Sequence, residues 1–260
     1  MIDVKINKEH VRNTFADYTD NYNPADPKIK LKIDHTYRVA EFCYEIAESI
    51  GLSNEDKDVA WLSGMLHDLG RFEQIRRYGT FNDSLSIDHA KLSADLLFEE
   101  HLANDYVEGF EQDDMRDIIE LAIRSHSAYR IPEGITDREK MFCDILRDAD
   151  KIDIFRVNID TPPEEIYNVT TEDLKNSVVS DAVMQCFEEE HAVLRSLKET
   201  AIDNLVAHMA LTFELVYPKS RQLVDEQGYL AQMMNYESEN EITKKQLNMI
   251  KKKMMEFLRK

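Results

Sequence analysis

The stretch Val59-Ala60-Trp61-Leu62-Ser63-Gly64-Met65-Leu66 reads as a buried helix face, and it runs without a break into His67-Asp68. An imidazole and a carboxylate at the end of a dry segment are costly unless something pairs with them. A chain built this way has to wrap further helices around the apolar run and supply a partner for the two polar groups. The rest of the sequence suits that demand. Seven glycines and six prolines in 260 residues leave few breaks, and long stretches of Ala, Leu, Glu, Lys and Met favour an all-α protein. This length suits one large domain, or one domain with a sizeable extension.

Residues 1–29 read as a short helix followed by the loop NYNPADPK. From Asp34, Val39, Phe42, Cys43, Ile46 and Ile50 fall at helical spacing, with Gly51 as a stop. The pattern predicts a second helix over about 54–69 ending at Gly70, and a loop over 76–86. A third helix is expected from Asp88 through Leu92, Leu96 and Leu97, a fourth over about 113–127, and a fifth over about 137–155. Thr161-Pro162-Pro163 then interrupts the chain. Residues 158–260 read as further helices, the last one Lys-rich with an apolar stripe at Leu247, Ile250, Met254 and Leu258. Asp34 and Asp88 each precede a histidine in the triplet Ile-Asp-His and read as N-caps.

A formal net charge of −19 argues against a surface that coats a nucleic-acid polymer, because that requires clustered positive charge. A small anion held by a few local cations is compatible with it. Cys43, Cys143 and Cys186 are odd in number and widely spaced, as expected for reduced core residues of a cytoplasmic protein. The charged N-terminal stretch is unlike a signal peptide, and no apolar run approaches the ~20 residues of a membrane helix.

Of eight histidines, four occupy special points of these helices. His35 is expected to open the first, His67-Asp68 to close the second, His89 to open the third and His126 to close the fourth. Asp150 lies in the fifth, within RDADKID. A single histidine at a helix end is ordinarily a cap, and His10, His101, His191 and His208 have no partner pattern. In an up-and-down arrangement, however, those four helix ends share one pole. That is what a metal site between helices needs. Neutral imidazole with carboxylate suits Fe, Mn, Ni, Co or Zn, and a carboxylate can bridge two ions.

A His, then a His-Asp doublet, then a distant Asp resembles the HD superfamily of metal-dependent phosphohydrolases. The matching segments are IDHTYRVAEF (His35), GMLHDLGRFE (His67, Asp68) and LRDADKIDIF (Asp150). His89 in SIDHAKLSADLLF and His126 in AIRSHSAY match the positions that supply a second metal in binuclear members. The resemblance covers about residues 30–157. It implies an HD-domain helical bundle with additional C-terminal helices, and one or two divalent ions per chain (Fe, Mn, Ni, Co, Zn or Mg). It also implies that a metal-activated water attacks the phosphorus of a small phosphate ester or nucleotide. Asp68 is then a catalytic as well as a metal-binding residue, and Arg38, Arg71 and Lys151, near the motifs, are candidates to hold the substrate's oxygens.

Two departures stand out. Ser127-Ala128-Tyr129-Arg130 follows His126 where the cyclic-dinucleotide phosphodiesterase branch carries Gly-Tyr-Pro, and no carboxylate beyond the ligands can be assigned as general acid; Glu73 is near, but its facing is open. The 76–86 loop joins two ligand-bearing ends, as a lid would. The same ligand set also serves non-haem di-iron oxygenases, and a non-catalytic metal- or ligand-binding module is the third reading.

Overall fold

The computed structural model describes residues 5–110 and 115–259, so the expected helix start near residue 113 lies outside them. Among the described residues every regular element is helical. None of these helices is long and apolar enough to cross a membrane. The chain divides into two compact units, Met1–Asp150 and Lys151–Lys260.

In the first unit, α1 (Lys8–Thr19) precedes the long α2 (Pro27–Ser49). The expected start of this helix at Asp34 is corrected. Asp26 caps it through Lys28 N, and Pro27 occupies the first turn, where a missing N–H costs nothing. Pro27, expected within the loop NYNPADPK, is therefore the residue that begins the helix. Asp34 is a half-buried residue of the helix interior paired with Lys30 at 2.8 Å, and His35 sits two turns into α2 rather than at its end.

The helix expected over 54–69 is two helices, α3 (Asn54–Leu66) and α4 (Leu69–Tyr78), and His67-Asp68 is the bend between them. Asp68 leaves helical geometry at φ −111°, ψ 17°. Gly70, expected as a stop, lies inside α4. Its role is close approach: a Cβ there would stand 2.6 Å from Ser93 N and 2.8 Å from His89 O. Gly64 does the same for α3 on α2, where a Cβ would meet Ala40 Cα at 2.6 Å. The two glycines flanking the doublet thus let α2 and α5 crowd against the segment that carries it. Trp61, Leu62, Met65 and Leu66 are fully buried beneath the bend.

The α4 helix runs three residues into the expected 76–86 loop, and residues 83–85 form a 3₁₀ turn. The α5 helix (His89–Ala94) is capped by Asp88, which accepts from Ala90 N and Lys91 N, and it continues as a wider π-helical turn over Asp95–Glu99. After α6 (Ala103–Tyr106) and α7 (Met115–Ser125), α8 (Asp137–Asp160) extends five residues beyond its expected end.

The second unit contains α9 (Pro163–Ile166), α10 (Thr171–Asn176), α11 (Asp181–Glu188), α12 (Ala201–Ala210), α13 (Pro218–Gln227), α14 (Tyr229–Met234) and α15 (Glu241–Phe257). Its core joins Val183 and Phe187 to Ile202, Val206 and Met209, and to the α15 stripe Leu247, Ile250 and Met254. Leu258 falls just past the end of that helix.

Candidate metal centre

Four imidazoles run in a chain through the first unit, in the order His35, His67, His126, His89, with successive ring centroids 5.3, 5.1 and 5.0 Å apart. All four are buried. Asp68 lies along this chain and divides its two oxygens between the halves. Oδ2 is 3.6 Å from His35 Nε2 and 3.4 Å from His67 Nε2, while Oδ1 is 3.7 Å from both His89 Nε2 and His126 Nε2. Asp150 Oδ1 closes the first half, 3.2 Å from His35 Nε2 and 3.9 Å from His67 Nε2. Two ligand atoms each about 2.1 Å from a shared ion stand roughly 3.0–3.4 Å apart, so these spacings are close to those of a coordination shell.

Local structure sets the direction of the rings. His67 directly follows α3, and its Nδ1 lies 2.7 Å from Gly64 O; His126 directly follows α7, and its Nδ1 lies 2.8 Å from Ile123 O. In both, a ring N–H satisfies one of the carbonyls that a helix C-terminus leaves without a partner. A carbonyl only accepts, so each ring carries its proton on Nδ1 and turns a bare Nε2 inward. His89 achieves the same by donating from Nδ1 to the Asp83 carboxylate at 2.6 Å. As a result His89 Nε2 and His126 Nε2 face each other at 3.1 Å, two lone pairs with no proton of their own between them. His67 Nε2 and Asp68 Oδ1 are buried without a hydrogen bond, whereas His89 Nε2 accepts from an Arg71 guanidinium N–H at 3.2 Å. Such an arrangement calls for a cation, and N/O donors of this kind suit a divalent transition metal.

The electrostatics agree. Burial pushes Asp68 up, but the Lys32 ammonium, then His67 and His89, hold its carboxyl well below the usual range. Burial likewise opposes the ionised Asp150, and His35 and His67 hold it below the ordinary carboxylate value. Burial drives His126 down to about 3, helped by His89 and His67, and lowers His89 as well, helped by Arg71. His89 and His126 are therefore neutral and the two carboxylates charged, the states that bind metal.

The six residues expected as ligands, His35, His67, Asp68, His89, His126 and Asp150, are thus brought together. His35 arrives from mid-helix, so the shared-pole reasoning does not apply to it. Arg71 also reaches the cluster. It donates to Gln74 Oε1, Phe81 O and Asp83 Oδ1 at 2.7, 2.7 and 3.0 Å, and one of its guanidinium nitrogens lies 3.2 Å from His89 Nε2. Arg38 lies one turn beyond His35, half-buried, and Lys151 is buried just after Asp150, at the start of the second unit. Glu73 is buried and held by Tyr22, Arg76 and Arg77.

Two residues of the site were not anticipated. Lys32 donates to Asp68 Oδ2 at 2.6 Å and is largely covered. It lies one turn before His35 on α2, and starting that helix at Asp34 concealed it. Asp83 lies in a loop six residues before His89, and no periodicity links the two.

Residues 33–156 match the HD domain family, and this part of the chain is an HD domain. A 66-residue stretch, 24% of the chain, is 32% identical to 3'3'-cGAMP-specific phosphodiesterase 1 of Vibrio cholerae serotype O1, and spans only 15% of that protein's length. No solved structure matches the chain.

Proposed function

We propose that the chain is a metal-dependent phosphohydrolase that acts on a small phosphate ester or nucleotide. The observation that carries this reading is the convergence of imidazole Nε2 lone pairs, fixed in direction by Gly64 O, Ile123 O and Asp83, on the buried Asp68 and the half-buried Asp150. His35, His67, Asp68 and Asp150 would hold one divalent ion, and Asp68, His89 and His126 a second. Such ions lower the pKa of bound water toward ~7 and neutralise phosphate oxygens. Lys32 and Arg71 place an ammonium and a guanidinium at Asp68 Oδ2 and beside His89, where they can stabilise charge on a phosphoryl group. Arg38, one turn from His35, is a further candidate to hold the substrate. The strongly acidic remainder of the chain disfavours a long polyanion and tolerates a compact one. The name of the Vibrio cholerae relative supports including phosphodiesters of nucleotides among the candidates.

A panel of nucleotides, phosphomonoesters and phosphodiesters, tested with Mn, Mg, Co, Ni, Zn and Fe, decides the matter. At least one compound should be cleaved, with turnover falling to background in Asp68→Ala. Lys32→Ala should keep its metal and lose roughly 10²–10³ in kcat/KM, the scale of one charge-stabilising donor. No cleavage with any metal, together with oxygen consumption by the ferrous protein, would replace the hydrolase reading with the oxygenase one.

A further inference from the structure

The loop between α4 and α5 is fastened to the centre by one carboxylate and one amide. Asp83 Oδ2 accepts from His89 Nδ1 at 2.6 Å, while Oδ1 accepts from Arg71 at 3.0 Å and from Gln74 Nε2 at 2.9 Å. Gln74, fully buried on α4, also lies 2.9 Å from Ser86 Oγ and Ile87 O, and Arg71 donates to Phe81 O at 2.7 Å. Residues 81, 83, 86 and 87 are therefore tied to two side chains of α4. Asp88, though close to Asp83 and His89, is engaged in capping α5. The acidic residues of this loop therefore do not form a separate site.

Asp83 is the one member of this clasp that touches an imidazole of the centre from behind. A carboxylate only accepts, so it holds the proton on Nδ1 and the bare Nε2 inward, and its charge makes the ring a stronger donor. Without it, either ring nitrogen can carry the proton, and one of the two tautomers presents an N–H where a lone pair is needed.

We propose that Asp83 is the positioning residue for the half of the centre made by Asp68 Oδ1, His89 and His126. Docking of the 79–88 loop and occupancy of that half are then one coupled event. This inference rests on the metal-centre reading given above. By reciprocity, an ion in that half tightens the loop as much as the docked loop tightens the ion.

The full chain, stripped with EDTA, provides two tests. In the metal-free protein, ¹⁵N–¹H spectra of the imidazoles should show His89 as the Nδ1–H tautomer, and Asp83→Ala should convert it to a mixture. On titration with Mn²⁺ by calorimetry, the wild-type chain should bind two ions. Asp83→Ala should weaken one of them roughly 10–100-fold and leave the other unchanged. Asp83→Asn, whose carbonyl oxygen still accepts, should fall between. An unchanged first affinity shows that the variant is folded. The inference is overturned if Asp83→Ala binds both ions as the wild type does, if it weakens both equally, or if wild-type His89 is the Nε2–H tautomer. A wild-type chain that takes up no Mn²⁺ sinks the metal-centre reading itself, a result distinct from these.

Discussion

Asp68 in the first unit and Asp203 in the second are both cut off from solvent, yet their oxygens are used differently. Asp203 accepts from Ser180 N on one oxygen and from Glu199 N and Thr200 N on the other, each at 2.9 Å, and so closes the capping box of α12. Backbone amides satisfy its charge. Asp68 receives no backbone donor among the bonds described: one oxygen takes Lys32, and the other is left among the Nε2 atoms of His89 and His126. The histidines repeat the contrast. His208 donates from Nδ1 to Asn158 Oδ1 at 2.7 Å and lies tilted against the ring of Tyr167, whose hydroxyl also donates to Asn158. His67 and His126 satisfy backbone carbonyls with one nitrogen and hold the other bare. A buried polar group whose bonding is complete within the fold serves the fold; one held open by the fold is kept for a ligand.

The largest effect should separate the two aspartates. Asp68→Ala is expected to abolish both divalent-metal uptake and phosphate release, whereas Asp203→Ala leaves metal stoichiometry and turnover at wild-type values. Elemental analysis together with the phosphate assay checks this, and loss of metal in Asp203→Ala would break the contrast.

Stability should sort them the other way. Asp203→Ala removes the acceptor of three backbone N–H groups and should cost about 2–5 kcal/mol, since bonds to a charged group contribute ~1.5–3 kcal/mol and a lost cap ~1 kcal/mol. Urea denaturation reads it. Mn²⁺ at a hundred times its Kd should raise the stability of wild type and Asp203→Ala alike by about 2.7 kcal/mol for each ion bound, and that of Asp68→Ala not at all.

Much of the centre was legible because it follows helix-end grammar. His67-Asp68 stands out at the end of an apolar run, and His89 and His126 adjoin helix ends that Asp88 and the apolar spacing of 115–123 mark. What stayed hidden came from tertiary structure or from proline read too simply. Pro27 at the first turn of α2 moved His35 into the helix interior and concealed Lys32. Gly70 reads as a stop in one dimension, but in three it is the point where α4 meets α5. Asp83 acts across a loop, and no spacing rule connects it to His89. The second unit reads in sequence only as further helices with a Lys-rich one at the end, and Asp203 and His208 reveal their bonding only when folded.

Gly70→Ala tests that helix contact. Its Cβ would have to displace Ser93 N and His89 O, so we expect a loss of about 1–3 kcal/mol. Because His89 opens α5, the ion in the Asp68–His89–His126 half should weaken more than the one held with Asp150. Equal weakening in a calorimetric titration would show that the contact supports the unit as a whole and not His89 in particular.

The last contrast concerns His208. Burial first, then the charges of Lys198 and Arg195, push its imidazole down to about 3, whereas an unfolded chain titrates it near 6.5. The unfolded state therefore takes up the proton first as pH falls. The contribution of His208 is complete above about 6.5 and is lost progressively toward pH 3, by at most ~1.4 kcal/mol per pH unit. Urea midpoints measured between pH 7 and 4 should fall more steeply for wild type than for His208→Gln. Parallel slopes would remove His208 from the account.

The most direct measurement of the central claim is anomalous diffraction from crystals of the full chain grown with Mn²⁺. We expect one peak bounded by His35, His67, Asp68 and Asp150, and a second bounded by Asp68, His89 and His126, with every ligand atom about 2.0–2.4 Å from its ion. Crystals saturated with Mn²⁺ that show no peak among these residues, with Lys32 still closed on Asp68, would contradict it.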